Sequence, residues 1–489
     1  MGLPAVSGAA RWYLAPVSET TAGYPRTVGS EPVLRGGGWP GLSGLGMRGQ
    51  RARQRVRVTR WHAWLVAICL LGLGVRLFYL FHWLYPTPVQ GDPFYYHEAA
   101  NLFADGRGWP DPYELRLSGH YLADAQHPPL TSVLLAIPSL LGFTSFLAHQ
   151  LFSCLLGVGA VGLVAFTGRR VAGPATGLVA AGIAAVYPGM WLNDPLVMSE
   201  TTGILTCSWL ILAAYRLRER RSVGTAAVLG LALAAVMLAR AELALLALVL
   251  VVPVVGLARG VAWRRRAGLL AVAALTSVLA VAPWIGYNLA RFAEPEYLST
   301  GLGTTLAVTH CPATYHGSRL GWWSFDCVLG LPPAPQERSE RDAFYRHEAL
   351  AYMRAHTDRL PVVAVARLGR TWGVYHPWQQ ARLDVIELRP IGLSQLGMVM
   401  LWGIEVAAAA GVVVLVRRRQ PLLPLLAVPI AVSLATVVVY GTTRFRAAAE
   451  PALVLLAAVA LTAAAERLLT RLRATASAGT PNAFELAGN

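Results

Sequence analysis

The sequence predicts an all-α, polytopic membrane protein with about ten transmembrane helices. Hydrophobic residues are 55% of the chain, charged residues only 14%, and mean hydropathy is +0.48. A soluble domain carries roughly 25% charged residues. Apolar runs of about 20 residues, long enough to cross ~30 Å of hydrocarbon, recur along the chain. They are continuously apolar rather than alternating, which makes them helices and not barrel strands.

Taken in order, the spans fall near 62–84, 145–168, 171–188, 194–215, 222–239, 241–257, 267–289, 391–416, 421–440 and 446–466. Residues 1–60 form a basic cytoplasmic segment expected to be disordered, its first part rich in Gly, Pro and Ser. Met47 offers an alternative start, and no signal peptide precedes the first span. Residues 61–290 make an N-terminal transmembrane module with an outer loop at 85–127. Residues 291–390 are a second extracytoplasmic region, 391–468 the last helices and 469–489 a cytoplasmic tail. The stretch 128–142 (PPLTSVLLAIPSLLG) is too short to span comfortably and reads as a re-entrant or interfacial helix. Amphipathic helices are expected near 340–357 and 361–375, the second lying on the membrane surface.

Arginine sets the orientation. The 42 basic residues are all Arg. Their clusters at 48–60, Arg169-Arg170, Arg216 to Arg221, Arg259 to Arg266, Arg417 to Arg419 and Arg467 to Arg473 fall on one side of these spans. The positive-inside rule makes that side cytoplasmic. The net charge of +16 therefore faces membrane lipids, at ~1 kcal/mol per Arg near an anionic surface, and does not signal nucleic acid. Acids collect on the other side: Asp92, Glu98, Asp105, Asp111, Glu114, Asp124, Asp194, Glu200 and Glu242 among them. Cys311 and Cys327 share the outer loop, on the oxidising side, and are expected to form a disulfide worth ~3 kcal/mol in the chain-entropy model. No Cys/His spacing resembles a zinc site.

Several polar residues are candidates for chemistry. Asp92-Pro93 fits an N-cap followed by Pro at the first helical position; Tyr96 and Ala100 share the face of Asp92, which leaves a catalytic role open. Asn193-Asp194-Pro195 repeats the cap pattern. Glu200 follows roughly 8 Å down that helix, among apolar neighbours. A carboxylate in that setting costs a few kcal/mol unless paired, which marks a functional site. Arg240 and Glu242 stand where two apolar runs meet; snorkelling is the plain account of Arg240. Arg444 and Arg446 lie outside, against the positive-inside bias, and suit bidentate binding of a phosphate headgroup. Glu405 is a second intramembrane acid, with Arg76 a candidate partner. His127-Pro128-Pro129 opens the re-entrant helix, and His127 could also contact a sugar or phosphate.

These residues resemble a known family. The run Asp92, Tyr96-His97, Ala100, Leu102, Gly106, Gly108, then Pro128-Pro129-Leu130, looks like the first outer loop of GT-C glycosyltransferases. The family 39-like group is the most similar: protein O-mannosyltransferases and the lipid A aminoarabinose transferase. Ser199-Glu200, Leu238-Ala239-Arg240-Ala241-Glu242, Pro283-Trp284 with Asn288, and Arg444-Phe445-Arg446 ahead of Glu450-Pro451 extend the likeness over residues 62–466. Pro93 departs from the pattern, because many members place a second acid there. That puts metal use in doubt: no metal ligand set is assigned, and a divalent cation stays open.

The resemblance implies transfer of a sugar from a polyprenyl-phosphate donor to a hydroxyl of an acceptor glycan, lipid or protein outside the cytoplasmic membrane, with inversion. Asp92 would be the general base, with Glu200 the other catalytic candidate. Arg444, Arg446 and Arg240 would stabilise the phosphate, and Glu200, Asn193, Asp194, Glu242, Tyr96 and His127 would orient substrate. The alternative is a transporter or flippase of a lipid-linked precursor, which predicts an inverted repeat and polar residues at the midplane. No repeat is evident, and the polar residues crowd one face.

Overall fold

The computed structural model describes the backbone of residues 43–478 and the side chains of 60–475. The expected disorder over 1–42 and the tail from 479 onward lie outside the described residues. From Ser43 the chain is already helical, which corrects the expected boundary at 60. Arg and Gln, both good helix formers, dominate 48–57 with a single Gly and no Pro to stop the helix.

Helix α1 (Ser43–Tyr79) ends in a π-helical turn, Leu80–Leu84. The first outer loop holds α2 (Gly91–Ala104) and α3 (Pro112–Ser118), and α4 (Leu130–Leu140) follows it. Helix α5 (Phe146–Ala172) is capped by Ser145 and closed by Arg169, Arg170 and then Gly173 at φ +101°. Pro174 opens α6 (Pro174–Val186), which bends by 77° into Pro188–Leu196, containing α7 (Pro188–Trp191). Helices α8 (Ser199–Glu219) and α9 (Val223–Ala239) lead to a segment of mixed winding that ends in α10 (Val252–Gly256), then α11 (Trp263–Arg291).

The second outer region carries short helices α12 (Leu302–Ala307), α13 (Pro312–Tyr315) and α14 (Asp326–Leu329), the longer α15 (Arg338–Ala355) and α16 (Leu360–Thr371), and α17 (Pro377–Leu383). Cys311 and Cys327 are joined there as a disulfide, with Cα atoms 5.4 Å apart. Helices α18 (Ile391–Arg417), α19 (Leu423–Val438), α20 (Thr443–Arg446) and α21 (Glu450–Ala478) complete the chain.

Each expected span coincides with helix, but not every one has the length expected. Among the described residues five helices are long and apolar enough to cross a membrane: Arg60–Leu84, Phe146–Ala172, Trp263–Arg291, Ile391–Arg417 and Thr443–Thr475; a sixth is reached by counting the bent pair. Leu130–Leu140, Val223–Ala239, Ala241–Gly256 and Leu423–Val438 are shorter apolar helices. The last of the five is the central one, with 56% of its apolar window buried against 28% for the first. Small residues let backbones meet: a Cβ on Gly177 would lie 2.5 Å from the Ala165 carbonyl, and one on Gly230 or Gly411 would strike the backbone of Ala273 or Leu456.

The arginine-rich helix ends gather at one face. Arg170 pairs with Glu219, Arg221 donates to the Arg259 carbonyl, and Arg418 pairs with Glu466. Helix α16 is amphipathic as expected, with apolar side chains exposed on one side and an arginine buried on the other. Val362 and Val365 are exposed, whereas Arg367 is buried and donates to the carbonyls of Val437, Val438 and Thr309. It thereby satisfies the C-terminal end of α19.

Arg76 finds Asp194, not Glu405. Its Nε lies 2.6 Å from Asp194 Oδ2, both residues fully buried, and Thr201 donates to the other oxygen at 2.7 Å. The bend after α6 turns Asp194 inward to make this pair. Removing one partner leaves a buried charge alone, so Arg76→Leu should cost about 3–5 kcal/mol. Adding Asp194→Leu should restore most of that loss. Thermal unfolding of both variants in detergent checks it; equal loss in the single and double variants would deny the pair its structural role.

Candidate active site

Three separate stretches of chain converge on Arg444. It is at the start of the last span, in the short turn α20, where the Thr442 side chain accepts a backbone N–H. Its Nη2 is 2.7 Å from Asp92 Oδ2, its Nε 2.6 Å from Glu200 Oε1, and its Nη1 3.0 Å from Glu387 Oε1. Arg240 extends the network, 3.0 Å from the same Glu200 oxygen and 2.6 Å from Glu242. Four carboxylates thus face two guanidinium groups, and Oε2 of the buried Glu200 has no hydrogen-bond partner. The arginine forks suit this work because planar guanidinium donors can serve several oxygens at once.

Local backbone sets these side chains. Asp92 is not the cap: Gln90 holds that position and Asp92 lies in the first turn of α2, with no side-chain cap bond. Its charge still favours the helix N-terminus, but its partners are Arg444 and His127. Glu200 is in the first turn of α8 rather than farther down a longer helix, because the helix begins only at Ser199. Just before it, buried Val197 takes φ +60°, and Leu388, between Glu387 and Arg389, takes φ +61°. A left-handed backbone costs a β-branched residue of order 1–3 kcal/mol and clusters at functional sites. Here it aims Glu200 and Glu387 at the same guanidinium.

His127 stands 3.5 Å from Asp92 Oδ1 and rests against the rings of Tyr95 and Tyr96, at centroid distances of 4.8 and 4.9 Å. Tyr95 donates to Asp124 at 2.7 Å. Arg338 of α15 pairs with Asp111 and Asp124, fastening the second outer region onto the first loop. Burial opposes the charged form of Asp92, yet the Arg444 guanidinium and His127 together hold its carboxyl well below the usual range. Glu387 goes the other way: burial raises it, and the Asp92 and Glu200 charges add to that against Arg444.

Of the residues expected from sequence, Asp92, Tyr96, His127, Glu200, Arg240, Glu242 and Arg444 come together. Asn193 does not face them directly; it accepts from Arg389 at 2.7 Å. Asp194 is turned away toward Arg76. Arg446 is also corrected. It is buried against Glu450 at 2.7 Å and the Thr371 carbonyl, so it is no twin of Arg444. Arg444 and Arg446 are two residues apart in the single turn α20, so they point to roughly opposite sides of it, which sequence proximity hides. Glu387, Arg389 and Arg338 were not singled out. An Arg at the outer end of a span, against the positive-inside bias, is the signal that marked Arg444, and Arg389 carries it too. Among the described residues no group of three or more His, Cys, Asp or Glu is disposed to hold a metal ion. The carboxylates that converge here already share the arginines.

A helical bundle whose long loops bear short helices, with a polar site at one end, has the fold of GT-C membrane glycosyltransferases. Residues 126–287 match a family described as dolichyl-phosphate-mannose-protein mannosyltransferase. No curated protein sequence matches the chain. Among solved structures, the oligosaccharyltransferase AglB of Archaeoglobus fulgidus, in complex with an inhibitory peptide and a dolichol-phosphate, is 14% identical with a TM-score of 0.51 over 87% of this chain and 53% of its own. A second structure of that enzyme, with Zn and sulfate, has 14% identity and a TM-score of 0.51 over 83% and 50%. ArnT of Cupriavidus metallidurans bound to undecaprenyl phosphate is 17% identical, with a TM-score of 0.37 over 83% and 77%. The chain thus spans about half the length of the archaeal enzyme it matches. The likeness read from the sequence agrees with the fold, and the matched stretch contains His127, Glu200, Arg240 and Glu242 but neither Asp92 nor Arg444.

Arg444→Ala strands three carboxylates beside one another. It should cost about 3–5 kcal/mol at neutral pH. In the intact protein the depressed Asp92 contributes stability that is full above its unfolded pKa of about 3.9 and is lost as pH falls through the folded value. In Arg444→Ala the repelling carboxylates take up protons more readily, so that variant should gain on wild type as pH falls from 7 toward 4. Melting curves across that range test the sign; a deficit independent of pH would contradict it.

Proposed function

We propose that the chain moves a sugar from a polyprenyl-phosphate donor to an acceptor hydroxyl on the outer face of the cytoplasmic membrane, with inversion. The observation that carries this reading is Arg444 held among Asp92, Glu200 and Glu387 at the end of the bundle opposite its arginine-rich face. An alcohol is a poor nucleophile, and a carboxylate beside it takes its proton as it attacks. A lipid phosphate is a good leaving group that needs its charge stabilised. Both requirements meet at one guanidinium.

The bond from the acceptor oxygen to the anomeric carbon forms as the bond from that carbon to the phosphate oxygen breaks. The acceptor proton goes to Asp92, and the electron pair goes to the phosphate beside Arg444. In the free protein Asp92 is a weak base, because Arg444 and His127 hold it low. A donor phosphate on Arg444 would share that guanidinium's charge and raise the basicity of Asp92. The base is then strengthened only when a donor is present. Glu200 holds Arg444 and Arg240 in register. Arg446 takes no part, since its donors go to Glu450 and Thr371.

Reconstituted protein incubated with a panel of labelled polyprenyl-phosphate sugars should release the polyprenyl phosphate and label an acceptor; flux of an intact lipid-linked sugar without release would favour a transporter instead. Asp92→Asn should retain the fold and lose roughly 10²–10⁴ in turnover, the usual contribution of a positioned base. Its donor affinity should hold or improve, because a carboxylate no longer competes for Arg444. Near wild-type turnover in Asp92→Asn would move the base to Glu200 or Glu387.

A further inference from the structure

At the far end of α8, about 27 Å along the helix from Glu200 at 1.5 Å per residue, is a second feature that the sugar-transfer reading leaves unused. The turn after α8 and the turn before α11 enclose a pocket of about 350 Å³ lined by Arg218, Glu219, Arg221, Val261, Ala262 and Arg265. That volume is within the range of small-molecule sites. Its one acid is already taken, because Glu219 pairs with Arg170. Two of its arginines are anchored: Arg221 donates to the Arg259 carbonyl at 3.2 Å and Arg265 to the Arg221 carbonyl at 2.8 Å. Arg266 ties the same turn by donating to Val261 and Gly256. Arg218 is exposed and makes no ion pair or hydrogen bond among the described residues.

Beneath the rim Leu217, Val254, Val255 and Leu269 are close-packed and buried. Beside it, Leu257 and Trp263 leave large apolar side chains exposed at the two ends of the turn that carries Val261 and Ala262. A soluble anion needs no such apolar flank, and a neutral lipid needs no such rim. Charge in the pocket and exposed hydrocarbon beside it, at the start of the span Trp263–Arg291, match one class of ligand.

We infer that this pocket binds an anionic phospholipid, its headgroup phosphate against Arg218, Arg221 and Arg265 and its acyl chains along the exposed side chains of Leu257 and Trp263. Basic pockets between helices at a membrane face are suited to such headgroups. Because α8 also carries Glu200 in its first turn, an occupied pocket would brace the helix that presents the site. The inference stands apart from sugar transfer and is tested without it.

The protein, purified in neutral detergent and stripped of lipid, is titrated with phosphatidylglycerol, with phosphatidylcholine and with inorganic phosphate, and followed by native mass spectrometry and thermal unfolding. Phosphatidylglycerol should bind and raise Tm, phosphatidylcholine should bind at least about tenfold more weakly, and phosphate should not displace the lipid. Arg218→Gln should weaken phosphatidylglycerol about fivefold, the worth of one basic residue near an anionic headgroup. Arg218 has no partner to lose, so that variant keeps the fold; Arg265→Gln is a second variant and frees only one carbonyl. Equal binding of the two lipids, wild-type affinity in Arg218→Gln, or full displacement by phosphate would each overturn the proposal, the last by making the pocket a site for free anions.

Discussion

The structure depends on a guanidinium that serves three carboxylates at once. Asp92, Glu200 and Glu387 come from a loop helix, the first turn of α8 and the turn before α18, and Arg444 reaches all three. None of these acids would tolerate its position alone, since a charge taken from water costs several kcal/mol unless paired. The sequence separation between Asp92 and Arg444 is 352 residues, so this one contact ties the first long loop to the head of the last helix. With Arg240 and Glu242 included, acids still outnumber arginines. That imbalance suits a site meant to receive a proton beside a phosphate, because the arginines are shared rather than neutralised one for one.

Legibility from sequence followed the physics of each signal. Hydrocarbon thickness leaves a long, unambiguous mark, so the helical spans were readable. Their exact lengths were not: α6 bends and α8 starts late because of Pro188, Pro195 and the turn at Val197, and proline positions alone do not fix where a helix resumes. Charges out of place were readable as well. Arg444, Glu200 and Arg240 all stood out because a membrane makes such residues costly. Their partners were harder to find. Asp194 and Arg446 look like site residues in one dimension, but one turns inward to Arg76 and the other to Glu450. Glu387 was hidden in a long polar loop, where a charge has no cost and so carries no signal, whereas Arg389, just ahead of α18, carried the same signal as Arg444 and was passed over.

The second outer region shows the same rule from the other side. Helix α16 has an amphipathic pattern, and the expectation is a helix on the membrane surface, which leaves Val362 and Val365 exposed. Arg367 turns inward on the other side, because the carbonyls at the end of α19 need donors. Periodicity revealed the helix, whereas unpaired backbone groups elsewhere decided which face it buries.

The centrality of α21 bears on how the protein is made. Chains enter the membrane from the N-terminus onward, and folding follows synthesis. The most buried of the long spans is the last one in the described chain, and Arg444 is at its head. Until that helix arrives, α5, α6, α8, α18 and α19 lack the partner they pack on, and Asp92, Glu200 and Glu387 have no shared cation. The nascent protein therefore has no site before α21 inserts, and one insertion both fills the bundle and creates the site.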